Sequence, residues 1–447
     1  MKKLISILLV LVMLLVCSGC SLNFFSVESL MSPPAQSGKN GDVEKAFKKL
    51  MSDKTIQLRT PVSGDYQTAF ILFDMNGNGV EEALVFYTDS SIDASVRIAF
   101  LECVNDTWVI SADVKGAGSG VYDVSFSDLD SNGCFEVLVG WSLYDSNSTK
   151  IVSIYEISLG DKGLYTLNTL ANEYYSAKSI TDFNSDNKDD LVIVYLDDSQ
   201  EIQKSYFRCF SLSDNNEFVK FAESKLDSLI NGVSKIQFDT IKNGKEHFKR
   251  IFIDCLKTDS SIFTEMLYWD QEDKKIIRPD KNPSKTTLRH SKINCSDIDG
   301  DGILEIPSNT TLLGDEKQLT TKKADVQYTF TMIKWLNVYG DKSEGNICTL
   351  FNPLDSYLYR ITRINEVTVY YDALKETLRF CIWDSENELV KDELLSISFK
   401  GVNSTLDADG KVLVENDNGT FYFNITDYGK DFGLTDEGVK SSFIVIK

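Results

Sequence analysis

Short runs of alternating apolar and polar residues fill most of the chain, and a period of two marks them as strands. Tyr66 to Phe73, Ala83 to Tyr87, Ala94 to Cys103 and Thr107 to Val114 form one set of four, and Val121 to Phe126 with Val137 to Trp141 open the next. Ahead of them the spacing changes. Val43, Ala46, Phe47, Leu50 and Met51 fall on one face of a short helix over residues 42–54, capped by Asp42. From about Pro353 the sets of four stop. Glu366 to Tyr371, Thr377 to Trp383 and Leu394 to Ser398 read as strands, and Val412 to Asn416 with Thr420 to Ile425 as a hairpin across Asp417, Asn418 and Gly419. Thr435 to Ser442 reads as a last short helix before a closing strand.

The strands are punctuated by a repeat. Four segments align without gaps: Asp74-Met-Asn-Gly-Asn-Gly-Val-Glu-Glu82, Asp128-Leu-Asp-Ser-Asn-Gly-Cys-Phe-Glu136, Asp182-Phe-Asn-Ser-Asp-Asn-Lys-Asp-Asp190 and Asp297-Ile-Asp-Gly-Asp-Gly-Ile-Leu-Glu305. The first three start 54 residues apart and the fourth 115 residues after the third, so a degraded copy belongs near that midpoint. Asp239-Thr-Ile-Lys-Asn243-Gly244 lies there, after the strand-like Ser234 to Phe238 and before Phe248 to Leu256. Four strands per period, repeated around an axis, predict an all-β fold: a β-propeller of about five four-stranded blades over residues 55–352, or six if the ends contribute. Periods above 50 residues argue against a linear solenoid. Residues 353–447 are expected to form a smaller C-terminal α+β domain.

Within each motif, oxygen-bearing side chains fall at positions 1, 3, 5 and 9, with Gly79, Gly133 and Gly302 at position 6 and Asn187 in the third copy. Hard cations such as Ca²⁺ take six to eight oxygen ligands, and a tight loop offers alternate side chains plus one backbone carbonyl. An EF-hand needs Glu at position 12, where this chain has Val85, Val139, Ile193 and Ser308, and its flanking elements would be helices. The pattern instead resembles the FG-GAP or VCBS-type calcium repeat of integrin α-like propellers. Carried over by position, that resemblance implies ligands at Asp74, Asn76, Asn78 and Glu82; at Asp128, Asp130, Asn132 and Glu136; at Asp182, Asn184, Asp186 and Asp190; and at Asp297, Asp299, Asp301 and Glu305. Three copies carry Glu where the family usually has Asp. Three to four Ca²⁺ sites are expected. By ligand charge the Asp297 loop should bind tightest and the Asp74 loop weakest; the Asp239 copy, with Ile241 and His247 at positions 3 and 9, should stay empty.

The N-terminus supplies an address. Lys2 and Lys3 precede an apolar run from Leu4 to Val16, the layout of an export signal over residues 1–20, and the run is too short to span a bilayer. Ser18-Gly19 directly before Cys20 resembles a bacterial lipobox, although Cys17 stands where Leu is usual. That implies lipid on Cys20 and an outward-facing place on the bacterial cell envelope. Residues 21–41, rich in Ser, Pro, Gly and Asn, read as a flexible tether. Formal net charge is −21, and −23 once Lys2 and Lys3 leave with the signal, which makes nucleic acid a poor partner. The seven cysteines beyond Cys20 are odd in number and unclustered, so buried thiols are expected rather than disulfides.

Two histidines, His247 and His290, leave little material for a His-centred triad or a transition-metal centre. No phosphate-cradling glycine motif or nucleophile elbow occurs. The expectation is therefore a non-enzymatic, calcium-binding lipoprotein that contacts an extracellular protein or glycan, with Trp141 and Trp269 as candidate contact aromatics unless they belong to the core. The alternative is a carbohydrate-active enzyme using an Asp/Glu pair outside the loops.

Overall fold

A computed structural model describes residues 39–446 apart from 145, 147, 161–162, 198–203, 214, 244–245, 340–341, 403 and 405–409. The export signal, Cys20 and most of the tether lie outside the described residues. The fold is all-β, a β-propeller-type array of five blades with a smaller C-terminal part of one sheet and two short helices.

The second blade shows how each is made. Gly120–Ser127, Glu136–Ser142, Lys150–Leu159 and Tyr165–Tyr175 pair antiparallel in chain order. Its second strand is apolar on both faces because each face meets a neighbouring blade: Val137, Val139 and Trp141 enter the core shared with blade 1, and Leu138 enters the core shared with blade 3. Blade 3 repeats the scheme over residues 177–225 and blade 4 over residues 232–277. In blade 1, Ile56–Leu58 and Phe70–Phe73 share one edge of Glu82–Asp89, so two short strands occupy one place in the sheet.

Successive blades stack face to face through separate apolar cores. The two ends of the row are covered differently. Val43 and Phe47 of the helix Lys39–Leu50, with Met51 just after it, seal the other face of blade 1 against Phe70, Val85, Tyr87 and Leu101. Met332, Leu350, Tyr357 and Tyr359 of blade 5 pack against Phe380, Leu395, Ile397 and Phe421 of the C-terminal sheet.

The boundary drawn at residue 353 cuts through blade 5. Tyr357–Arg360 is its next strand after Lys342–Asn352, and Phe443–Val445 pairs beyond that, so the chain end returns to this blade. Between them Val367–Asp372, Thr377–Asp384, Leu389–Gly401, Gly419–Ile425 and Lys411–Asn416 build the C-terminal sheet, and Thr435 caps the helix Asp436–Ser441 through the Gly438 N–H. Trp141 and Trp269 are core residues, not contact aromatics, at 0% and 7% exposure. All seven cysteines from Cys103 to Cys381 are free thiols; Cys103 is exposed and Cys134 half-buried, and the other five are buried.

Candidate metal centres

Three of the motif loops lead into Glu82–Asp89 of blade 1, Glu136–Ser142 of blade 2 and Asp190–Asp197 of blade 3, and the fourth leads into Ile306–Thr310 of blade 5. Each opens after a bridged pair whose second member is position 9: Phe73 with Glu82, Ser127 with Glu136, Thr181 with Asp190 and Ser296 with Glu305. One set of hydrogen bonds then shapes every copy. The position-1 carboxylate accepts the N–H groups of positions 5 and 6, at 3.0 and 2.8 Å for Asp74, 3.0 and 3.0 Å for Asp128, 3.0 and 3.0 Å for Asp182, and 3.1 and 2.9 Å for Asp297. The position-3 oxygens of Asn76, Asp130, Asn184 and Asp299 also accept the position-5 N–H. Those of Asn78, Asn132, Asp186 and Asp301 accept the N–H of position 7.

Backbone conformation follows the sequence pattern. Position 6 is left-handed throughout, with φ of 85° at Gly79, 88° at Gly133, 68° at Asn187 and 85° at Gly302. Position 4 is left-handed too, at Gly77, Ser131, Ser185 and Gly300, which the sequence reading missed. It also missed position 2, where Met75, Leu129, Phe183 and Ile298 are buried and anchor each loop to the core. The signal was present, since every intact copy has a large apolar residue there.

Position 9 is the chemically distinctive place. Glu82, Glu136, Asp190 and Glu305 are 3%, 2%, 0% and 3% exposed. One oxygen of each accepts the position-2 N–H at 2.8 to 3.0 Å, which positions the longer Glu side chains as well as Asp190. Burial, with neighbouring carboxylates adding to it, pushes Glu82 up to about 6 and Glu136, Asp190 and Glu305 up to about 7. The second oxygen differs between copies. Oδ1 of Asp190 is buried with no hydrogen-bond partner, whereas Oε1 of Glu82 receives the Asn76 amide at 2.7 Å.

Carboxylates of Asp128, Asp130 and Glu136, and of Asp297, Asp299 and Asp301, can each bring one oxygen to within 4.8 Å of the others, close enough to hold a metal ion. The donors are oxygens alone, which suits a hard cation. The loops also touch one another. Phe135 N–H donates to the Met75 carbonyl at 2.7 Å, a Cβ on Gly77 would meet the Gly133 carbonyl oxygen at 2.2 Å, and Ser127 Oγ donates to Asp189 at 2.7 Å. The loops of blades 1 to 3 therefore form a continuous row.

Blade 4 corrects the reading of Asp239 as a damaged loop. Gly232–Asn243 runs on as a strand paired with Glu246–Leu256, and Asp239 faces Arg250 in register. Arg250 Nε donates to Asp239 Oδ1 at 2.8 Å, its Nη2 bonds Oδ2, and Leu304 N–H of the following motif also donates to Oδ2 at 2.8 Å. A buried guanidinium here supplies the positive charge that balances Asp239. His290 is exposed and His247 lies on the partner strand.

No protein-family model matches the sequence, and no curated protein matches it. The resemblance to the FG-GAP and VCBS-type repeats thus stays at the level of the loop pattern. Among solved structures, the periplasmic gluconolactonase PpgL of Pseudomonas aeruginosa is similar over 76% of this chain and 88% of its own, at 9% identity and a TM-score of 0.27. That protein is by its name an enzyme, and the expectation of a non-enzymatic chain is not carried further.

Proposed function

We propose that this chain is a calcium-loaded, propeller-type protein of the bacterial cell envelope. Lipid on Cys20 holds it to the membrane, and the blades face outward to meet an extracellular protein or glycan; the net charge of −21 disfavours nucleic acid. The observation that carries the metal reading is the buried position-9 carboxylate, repeated in four loops, with Oδ1 of Asp190 left without a hydrogen-bond partner. A divalent ion held by positions 1, 3, 5 and 9 of each loop would remove that desolvation cost and the repulsion among clustered acids. Calorimetric titration of the protein with calcium should give three to four ions, and Asp297→Ala should remove one. An unchanged stoichiometry in that variant sinks the assignment.

A second reading, acid–base chemistry on a carbohydrate, is favoured by one cleft. It is lined by Asp355, Glu376 and Asp417 together with Lys323 and Phe399. Burial pushes Asp355 up to about 6, while Glu376 is paired with Lys323 at 3.4 Å. A carboxyl whose hold on its proton burial strengthens, beside a second carboxyl in one cleft, is the kind of pair that glycoside hydrolysis uses. Hydrolysis of aryl glycosides, if present, should fall as pH rises through about 6, because the acid loses its proton, and Asp355→Asn should abolish it. Absence of turnover across a panel of α- and β-glycosides removes this reading.

A further inference from the structure

Between blade 5, the C-terminal sheet and the segment joining the last two helices lies a cavity of about 200 Å³. Val367, Phe380, Leu394 and Phe432 give it apolar walls. Although acidic residues outnumber basic ones by 67 to 46 in the chain, no Asp or Glu among the described residues lines the cavity. Its polar side chains are mostly committed: Arg360 donates to the Ile298 carbonyl at 3.0 Å, and the Thr435 hydroxyl caps a helix. Two donors remain. Tyr359 is 5% exposed, and burial raises its pKa, so its hydroxyl stays a phenol and a donor. The Arg363 guanidinium sits 4.3 Å from the Phe432 ring centroid and 3.7 Å from the exposed Glu366 carboxylate, too far for a hydrogen bond.

Apolar walls ask for an apolar body, and donors in a cavity whose described lining holds no acid ask for an acceptor that carries negative charge. We infer that this cavity binds a compact apolar carboxylic acid, aromatic or short-chain, with its carboxylate between Arg363 and Tyr359. Arginine meets a carboxylate through two parallel N–H donors, and the Phe432 ring beneath holds the guanidinium plane ready for that contact. Glu366, itself about half exposed, yields to water when the ligand enters.

Benzoate and hexanoate titrated into the calcium-saturated full chain should each bind saturably at one site. Arg363→Gln should weaken both by about tenfold or more, in line with loss of a charge-assisted bond. Benzyl alcohol and hexanol, which share the apolar bodies without the charge, should bind at least as poorly. Arg363 is half exposed, so its replacement leaves the core intact, and an unchanged melting curve is the control. Leu434→Trp, which fills the cavity from its rim, should abolish binding of both acids. No saturable binding of either acid overturns the inference, as does equal affinity for acids and alcohols or indifference to Arg363→Gln.

Discussion

Arg289→Ala should destabilise the protein by about 3–5 kcal/mol, read from urea unfolding. Arg289 and Asp254 are both fully buried where the chain crosses from blade 4 to blade 5, and Nη2 meets Oδ1 at 2.6 Å. The guanidinium also donates to the Ile293 carbonyl at 2.6 Å and to Thr264 Oγ1 at 3.0 Å, and Asp254 accepts the Cys295 N–H at 2.9 Å. Removing the cation leaves a carboxylate without counter-charge in a medium that cannot hydrate it, and strips a donor from the Ile293, Thr287 and Pro307 carbonyls. The pair as a whole contributes less than its half suggests, because burying both charges had its own desolvation cost. Arg289→Met combined with Asp254→Leu should therefore recover most of the loss. A single-variant effect below about 1 kcal/mol would show that water reaches Asp254 or that it takes up a proton.

Much of this architecture was legible because its signals are local and repeated. The 54-residue spacing of Asp74, Asp128 and Asp182 set the blade count, and glycine or Asn187 at position 6 announced the turn conformation. What the sequence hid was long-range. Nothing in the string around Asp239 shows that Arg250, eleven residues on, pairs with it across a hairpin and replaces a loop by a strand. The return of Phe443–Val445 to blade 5 is likewise a contact between distant segments, and the boundary at residue 353 failed there for that reason. Trp141 was ambiguous for a related cause. Its indole N–H donates to Ser153 Oγ at 2.9 Å inside the core, and a strand buried on both faces carries no alternation by which to tell an inward tryptophan from an outward one.

Chelation should have the larger reach, because it acts on every loop at once. An ion that binds only the folded loop stabilises it by about 2.7 kcal/mol per site when present at one hundred times its dissociation constant. With three to four sites, millimolar calcium over EDTA should raise the melting temperature of the protein by on the order of 10 °C. Magnesium at the same concentration should give a small fraction of that shift, since it demands a smaller, regular octahedron that these loops do not offer. The loops should not contribute equally. In the Asp74 loop an amide already occupies the second oxygen of Glu82, so this copy should release its ion first; the Asp297 loop, richest in carboxylates, should hold longest. The contact between the Gly77 and Gly133 backbones makes the first release costly to its neighbour, and Asp74→Ala should weaken calcium at the Asp128 loop as well as at its own. A melting temperature indifferent to calcium would reduce the four motifs to hairpin turns that happen to be acidic, and the buried position-9 carboxyls would then have to be protonated in the folded protein.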